Sequence, residues 1–189
     1  MVNKIPRDLD NPFDNLFNDL AEWVSESFYA TGHTPNMITT YSLIFGLLSI
    51  YFLSKNNVLL FFVCWITSYF FDCFDGYFAR KYSMTSQFGD YYDHIKDTFV
   101  SVLLYYYVYT HFKITTLDIY VLIIATVLMH IHLGCQQIYT RKDDNTEYLD
   151  KFQGMCPDIS FLEWSRYFGP GTINVLLPCY IIYIIQRKV

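Results

Sequence analysis

Charged residues are absent from long stretches of this chain and crowded into the segments between them. Met37 to Leu53 carries no charge, and neither does Val58 to Phe71 or Gly171 to Ile185. A backbone that crosses lipid must satisfy its own hydrogen bonds, which restricts it to helices or closed barrels. Apolar runs of this length match helices. Over the 189 residues, 53% are apolar and only 16% are charged. The expectation is an all-α integral membrane protein, multi-pass and in contact with membrane lipids. It is read as one domain over 1–189, with an N-terminal segment at 1–33 and a transmembrane core at 34–189. A net charge of −5 excludes a nucleic-acid partner, which would call for a basic surface.

The chain begins acidic and Asn-rich, without the basic and apolar succession of a cleaved signal peptide. From Asn11 to Ala30, Phe13, Leu16, Phe17, Leu20, Trp23 and Val24 recur at helical spacing with acidic residues between them. This predicts an amphipathic helix, either lying on the membrane surface or packed on the soluble face of the helices. Thr34-Pro35-Asn36 marks the start of the first span. The second helix runs from near Val58 through Asp72, Asp75 and Arg80, and a polar turn at Lys81 to Thr85 follows it. The third covers about Ser86 to His111, polar in its first half and apolar in its second.

Ile119 to Ile138 is a fourth span, in which His130 and His132 read as polar residues at the interface. The last apolar run, extended back over Arg166 to Pro170, just suffices to cross. The prediction is therefore a bundle of five to six transmembrane helices, the sixth being a short or half-buried helix around Pro157 to Phe168. Arg80-Lys81, Arg141-Lys142, Lys4 and Arg7 fall on one side, and Lys55 and Lys113 on the other. The positive-inside rule assigns the first group to the cytosol. Arg187 and Lys188 agree with this only if the number of crossings is even. Cys64, Cys73, Cys135, Cys156 and Cys179 show no CxxC and no paired spacing, which predicts unpaired thiols filling apolar packing.

The chemistry collects at one place. Asp72 and Asp75, at i and i+3, share a face of an otherwise apolar helix, with the small residues Gly76 and Ala79 beside them. Across the turn, Asp93 and Asp97 stand at i and i+4 near the start of the next helix. A bare aspartate in hydrocarbon costs several kcal/mol, so four at one depth imply compensation. Hard divalent cations supply it, and Mg²⁺ or Mn²⁺ commonly bridge carboxylates and phosphate oxygens. Two such ions clamp a phosphoryl transfer. Arg80 offers a guanidinium to phosphate, and Gly76 and Ala79 leave room for a bulky ligand against the backbone. A transporter with an intramembrane carboxylate site is the reading from a different class. It has no need of Gly, Ala and Arg in this register.

The run Asp72-x2-Asp75-Gly76-x2-Ala79-Arg80-x8-Gly89-x3-Asp93-x3-Asp97 resembles the full signature of the CDP-alcohol phosphotransferase (CDP-alcohol phosphatidyltransferase) family, with every fixed position matched. The wider similarity covers roughly Pro35 to Ile138. The resemblance implies a six-helix membrane bundle, a homodimer, with its active site facing the cytosol. It implies that Asp72, Asp75 and Asp93 bind two metal ions, with Asp97 beside them as a ligand or as the base. It also implies that Gly76, Ala79 and Gly89 line the nucleotide site, and that Arg80 supports the cytidine or the diphosphate. The metals would make CMP a good leaving group while a carboxylate or His takes the proton of the acceptor hydroxyl.

The family divides by donor. One branch joins CDP-diacylglycerol to a polar alcohol such as inositol, serine or glycerol phosphate. The other transfers from CDP-choline or CDP-ethanolamine to diacylglycerol, a lipid acceptor. The run from Gly89 to Asp97 is similar to the second branch, whose pattern is Gly-Glu-x-x-Asp-His-x-x-Asp. Asp90 stands here in place of the Glu, and His94 matches. In that branch the acidic residue and the His are candidates for deprotonating the acceptor, so Asp90, His94 and Asp97 are the candidate catalytic residues. The reading favours the aminoalcohol branch and keeps the phosphatidyltransferase branch as its alternative.

Overall fold

The computed structural model describes residues 3–140 and 150–187. Arg141, Lys142 and Lys188, which entered the orientation argument, lie outside the described residues. Among the described residues there is no strand, and the elements are helices and helical turns. The protein is an all-α membrane protein. Four segments are long and apolar enough to cross a membrane: Pro35–Ser54, Val58–Lys81, Thr116–Thr140 and Ile159–Gln186. They do not include the helix at Gln87–His111, which has 25 residues but a polar first half.

Local chemistry sets the helix ends. Helix α1 spans Pro12–Ala30, and Asn11 Oδ1 accepts from the Phe13 N–H at 2.9 Å to open it. Gly32, at φ 78°, closes it: the Gly32 N–H donates to the Tyr29 carbonyl and the His33 N–H to the Phe28 carbonyl. Thr34 caps α2 (Pro35–Ser54) with Pro35 in its first turn. Asn57 caps α3 (Val58–Lys81) by accepting from the Leu60 N–H. Ser86 caps α4 (Gln87–His111) by accepting from the Gly89 N–H at 3.0 Å. Asp118 accepts from both the N–H and the hydroxyl of Thr115 and so fixes the start of α5 (Thr116–Thr140). The segment where a short sixth spanning helix was expected forms three consecutive turns, Ile159–Phe161, α6 (Leu162–Ser165) and Arg166–Phe168. They lead directly into α7 (Pro170–Gln186).

The chain divides into two compact units, Phe17–Ile114 with Asn174–Val189, and Met1–Leu16 with Thr115–Ile173. In the first, α2 meets its neighbours through small residues. Ser42, Gly46 and Ser49 are buried. The Ser42 hydroxyl donates to the Ser68 carbonyl at 2.9 Å, and the Ser68 hydroxyl donates back to the Ser42 carbonyl at 2.8 Å. Such reciprocal hydroxyl–carbonyl bonds hold apolar helices together where hydrophobicity cannot. A Cβ at Gly46 would stand 2.9 Å from Val100 Cγ1 and 3.2 Å from Ser68 Oγ, so the three helices approach to the limit that glycine permits. Helix α1 buries Phe17, Ala21 and Ser25, and Phe28 meets Phe74 edge to face with centroids 5.0 Å apart. Its Trp23 is 82% exposed, and Leu16 and Leu20 are exposed with it. The helix thus packs by one face and presents Leu16, Leu20 and Trp23 outward.

In the second unit, Ile5, Cys135 and Leu162 form the buried core. One sequence expectation is corrected here. Cys135 and Cys156 are joined by a disulfide, with Cα atoms 4.9 Å apart; Cys64, Cys73 and Cys179 are thiols outside any disulfide. The partners are 21 residues apart, so their pairing depends on the helical turn Asp150–Met155 folding back onto α5. Gly134 permits that approach, because a Cβ there would collide with the Phe152 carbonyl. His132 is fully buried within the protein, with Nδ1 3.1 Å from the Ser165 hydroxyl.

Candidate metal centre

The aspartates lie where α3 and α4 run beside α2. Asp72, Asp93 and Asp97 each offer a carboxylate oxygen within 4.8 Å of the others. Oxygens arranged around a small divalent ion at about 2.1 Å stand at most about 4.2 Å apart, so the trio needs only a modest contraction to hold one. Asp93 Oδ1 is buried and already faces a cation, the Lys96 ammonium at 3.1 Å. The donor set is all hard oxygen, which fits Mg²⁺ or Mn²⁺ and disfavours softer metals.

Asp75 stands one turn along α3 from Asp72 and is 6% exposed. One of its oxygens, Oδ2, accepts from the Thr39 hydroxyl of α2 at 2.6 Å. It is therefore outside the tight trio, and its second oxygen is the one left to serve a neighbouring ion. Arg80 folds back along α3, and its Nη1 would lie 3.1 Å from a Cβ at Gly76. The absence of a side chain at position 76 thus creates the place that the guanidinium takes. Gly89 faces Asn36 of α2, whose Oδ1 would be 3.2 Å from a Cβ there. Tyr92 of α4 reaches Thr40 of α2 through their hydroxyls at 3.0 Å.

His94 is on α4 next to Asp93. Its Nδ1 donates to the Asp90 backbone carbonyl at 2.8 Å, while the Asp90 carboxylate is farther away at 3.7 Å. The Asp90 main-chain carbonyl, rather than its carboxylate, engages Nδ1 and so leaves the lone pair on Nε2.

Sequence reasoning missed three residues of the site. Lys96 is 4% exposed and inserts its ammonium among the aspartates. It binds Asp72 Oδ1 directly and lies 2.6 Å from Asp97 Oδ1 and 3.1 Å from Asp93 Oδ1. Its Nζ also donates to the Ser42 hydroxyl at 3.1 Å. Thr39 and Ser42 are the other two. The available signal for Lys96 was its position three residues after Asp93 and directly before Asp97, which makes it the one Lys or Arg between the two aspartates of α4.

No curated protein and no solved structure matches the chain. One family profile, described as CDP-alcohol phosphatidyltransferase, matches residues 32–157, a stretch that contains α2, α3, α4, α5 and every aspartate of the site. With a carboxylate cluster built on the helices that this profile covers, the chain belongs to the CDP-alcohol phosphatidyltransferase family, membrane transferases that pass phospho-alcohol groups from CDP-linked donors to alcohols in lipid synthesis.

Proposed function

We propose that this chain transfers phosphocholine or phosphoethanolamine from the CDP-aminoalcohol to the free hydroxyl of diacylglycerol, with release of CMP. The observation that carries the reading is His94. It adjoins Asp93 on α4, with Nδ1 engaged by the Asp90 carbonyl and Nε2 left as the basic nitrogen. In the proposed reaction the diacylglycerol oxygen attacks the β-phosphorus and the bond from that phosphorus to the CMP oxygen breaks. His94 Nε2 takes the proton of the attacking hydroxyl. Asp72, Asp75, Asp93 and Asp97 hold the divalent ions, which when bound neutralise the diphosphate and stabilise departing CMP. Arg80, its guanidinium seated against Gly76, adds a positive charge for phosphate, and the small residues Gly76, Ala79 and Gly89 line the nucleotide site in this reading. Arg80 and Lys81 at the end of α3 favour a cytosolic active site under the positive-inside rule. The homodimer that the family resemblance implies is part of the same proposal.

A second reading has its own support. Asp97 has a side chain 52% exposed, the most accessible of the trio. That suits it to deprotonate a polar alcohol in a CDP-diacylglycerol-dependent reaction. Incubating the purified enzyme with radiolabelled CDP-choline, CDP-ethanolamine or CDP-diacylglycerol and candidate acceptors, followed by thin-layer chromatography, separates the two. Consumption of CDP-diacylglycerol with a polar alcohol, and of neither CDP-aminoalcohol, refutes the first reading and passes the base role to Asp97.

A further inference from the structure

Lys96 does more than neutralise buried charge. Its ammonium touches Asp72, Asp93 and Asp97, the same three residues whose oxygens are disposed to hold a cation. An ammonium and a divalent ion gathered by the same three carboxylates would stand within a few ångströms of each other, closer than like charges tolerate. We propose that Lys96 is an internal counter-ion that exchanges with the divalent metal at the Asp72, Asp93 and Asp97 trio; this rests on the metal reading above. The lysine stem allows the exchange without movement of α4, because it is flexible and carries its charge at a single terminal atom. Ser42 supports the engaged position from α2, donating to the Ser68 carbonyl while it accepts from Nζ. The engaged ammonium stabilises the aspartates when no metal is present. It also lowers metal affinity, because only the fraction of molecules with Lys96 withdrawn is competent to bind.

The test compares wild-type protein with Lys96→Met, which keeps the length of the side chain and removes its charge. Free Mn²⁺ is followed by electron paramagnetic resonance in detergent solution, and thermal unfolding is measured in EDTA and in saturating Mn²⁺. Lys96→Met should bind Mn²⁺ roughly 10–100-fold more tightly, as expected when a withdrawn state populated at about 1–10% becomes the only state. It should also unfold at a lower temperature than wild type in EDTA, with Mn²⁺ closing the gap. Equal Mn²⁺ affinity overturns the proposal while leaving the metal site intact. A thermal loss of the same size with and without Mn²⁺ reduces Lys96 to a structural ion pair and also overturns it. Failure of both proteins to bind Mn²⁺ refutes the metal reading and the exchange with it. If Lys96→Met does not fold, amine labelling of wild type read by mass spectrometry decides. Labelling at Lys96 should rise when Mn²⁺ is added, and an unchanged or reduced level overturns the exchange.

Discussion

Substituting Gly46 by alanine tests the packing that brings the aspartates together. The new Cβ would lie 2.9 Å from Val100 Cγ1, 3.2 Å from Val100 Cγ2 and 3.2 Å from Ser68 Oγ. Val100 is buried and, being β-branched on a helix, has essentially one side-chain rotamer, so it cannot turn aside. Overpacking of this kind costs about 1–3 kcal/mol. Replacing glycine in a helix interior returns about 1 kcal/mol. The net destabilisation by Gly46→Ala is then about 0–2 kcal/mol, too broad a range to decide anything alone.

A double-mutant cycle removes the ambiguity. Val100→Ala deletes both methyl groups that the new Cβ would strike. In that background the helix-propensity gain remains and the clash largely disappears, so Gly46→Ala should become stabilising by up to about 1 kcal/mol. The sign should reverse between backgrounds, with a coupling of about 1–3 kcal/mol, the size of the overpacking that is relieved. Denaturant or thermal unfolding of the four purified proteins in detergent measures it. Equal effects of Gly46→Ala in both backgrounds would refute the close approach of α2 and α4. The single variant should also lose activity out of proportion to its stability. Val100 lies one turn beyond Lys96 on α4, and a displacement there moves Asp93 and Asp97 relative to Asp72.

Three further outcomes follow from the site. Asp72→Asn, Asp75→Asn and Asp93→Asn should each abolish turnover in a folded protein, and EDTA should stop the wild-type enzyme until Mg²⁺ or Mn²⁺ is restored; turnover that survives metal removal counts against the metal assignment. His94→Ala should lower the rate by roughly 10²–10⁴-fold with little change in affinity for the CDP donor, the usual scale of general-base catalysis; a rate within a few-fold of wild type removes His94 from the reaction. Gly76→Leu should weaken CMP binding, since the added side chain meets the Arg80 guanidinium and fills the helix surface beside it; calorimetric CMP affinity equal to wild type would locate the nucleotide elsewhere.

The parts of this fold that were readable in the sequence are those set by neighbours along the chain. Thr34 and Pro35 start α2 through short-range capping chemistry, and the spacing of Asp72, Asp75, Asp93 and Asp97 assigns each pair to a helix face without knowledge of the rest. What was not readable depends on which residues of different helices meet. Lys96 looks like any polar residue of a half-polar helix until α2 and α3 enclose it. Asp75 and Thr39 are 36 residues apart, and nothing along the chain pairs them. Cys135 and Cys156 meet only because the turn Asp150–Met155 returns to α5 at Gly134. The apolar positions of α1 were correctly read as helical, but periodicity could not assign Phe17 to the core and Trp23 to the outside, because both are large apolar residues on a short helix.

The hydroxyl bonds between α2 and α3 also bear on how the protein enters its membrane. An aspartate near the middle of an inserting helix is disfavoured by roughly 2.5–3.5 kcal/mol, and α3 carries two toward its end. As a lone segment α3 faces that barrier unaided. Paired with α2, it receives the Thr39 hydroxyl on Asp75 and the two-way Ser42–Ser68 clasp. The Lys96 ammonium for Asp72 arrives only with α4. Biogenesis should therefore proceed with α2 and α3 partitioning into the bilayer as a hairpin. Asp72 gains its ammonium partner when α4 leaves the insertion machinery. A nascent chain truncated before Lys96 should accordingly hold α3 less securely in the membrane than one extended past it.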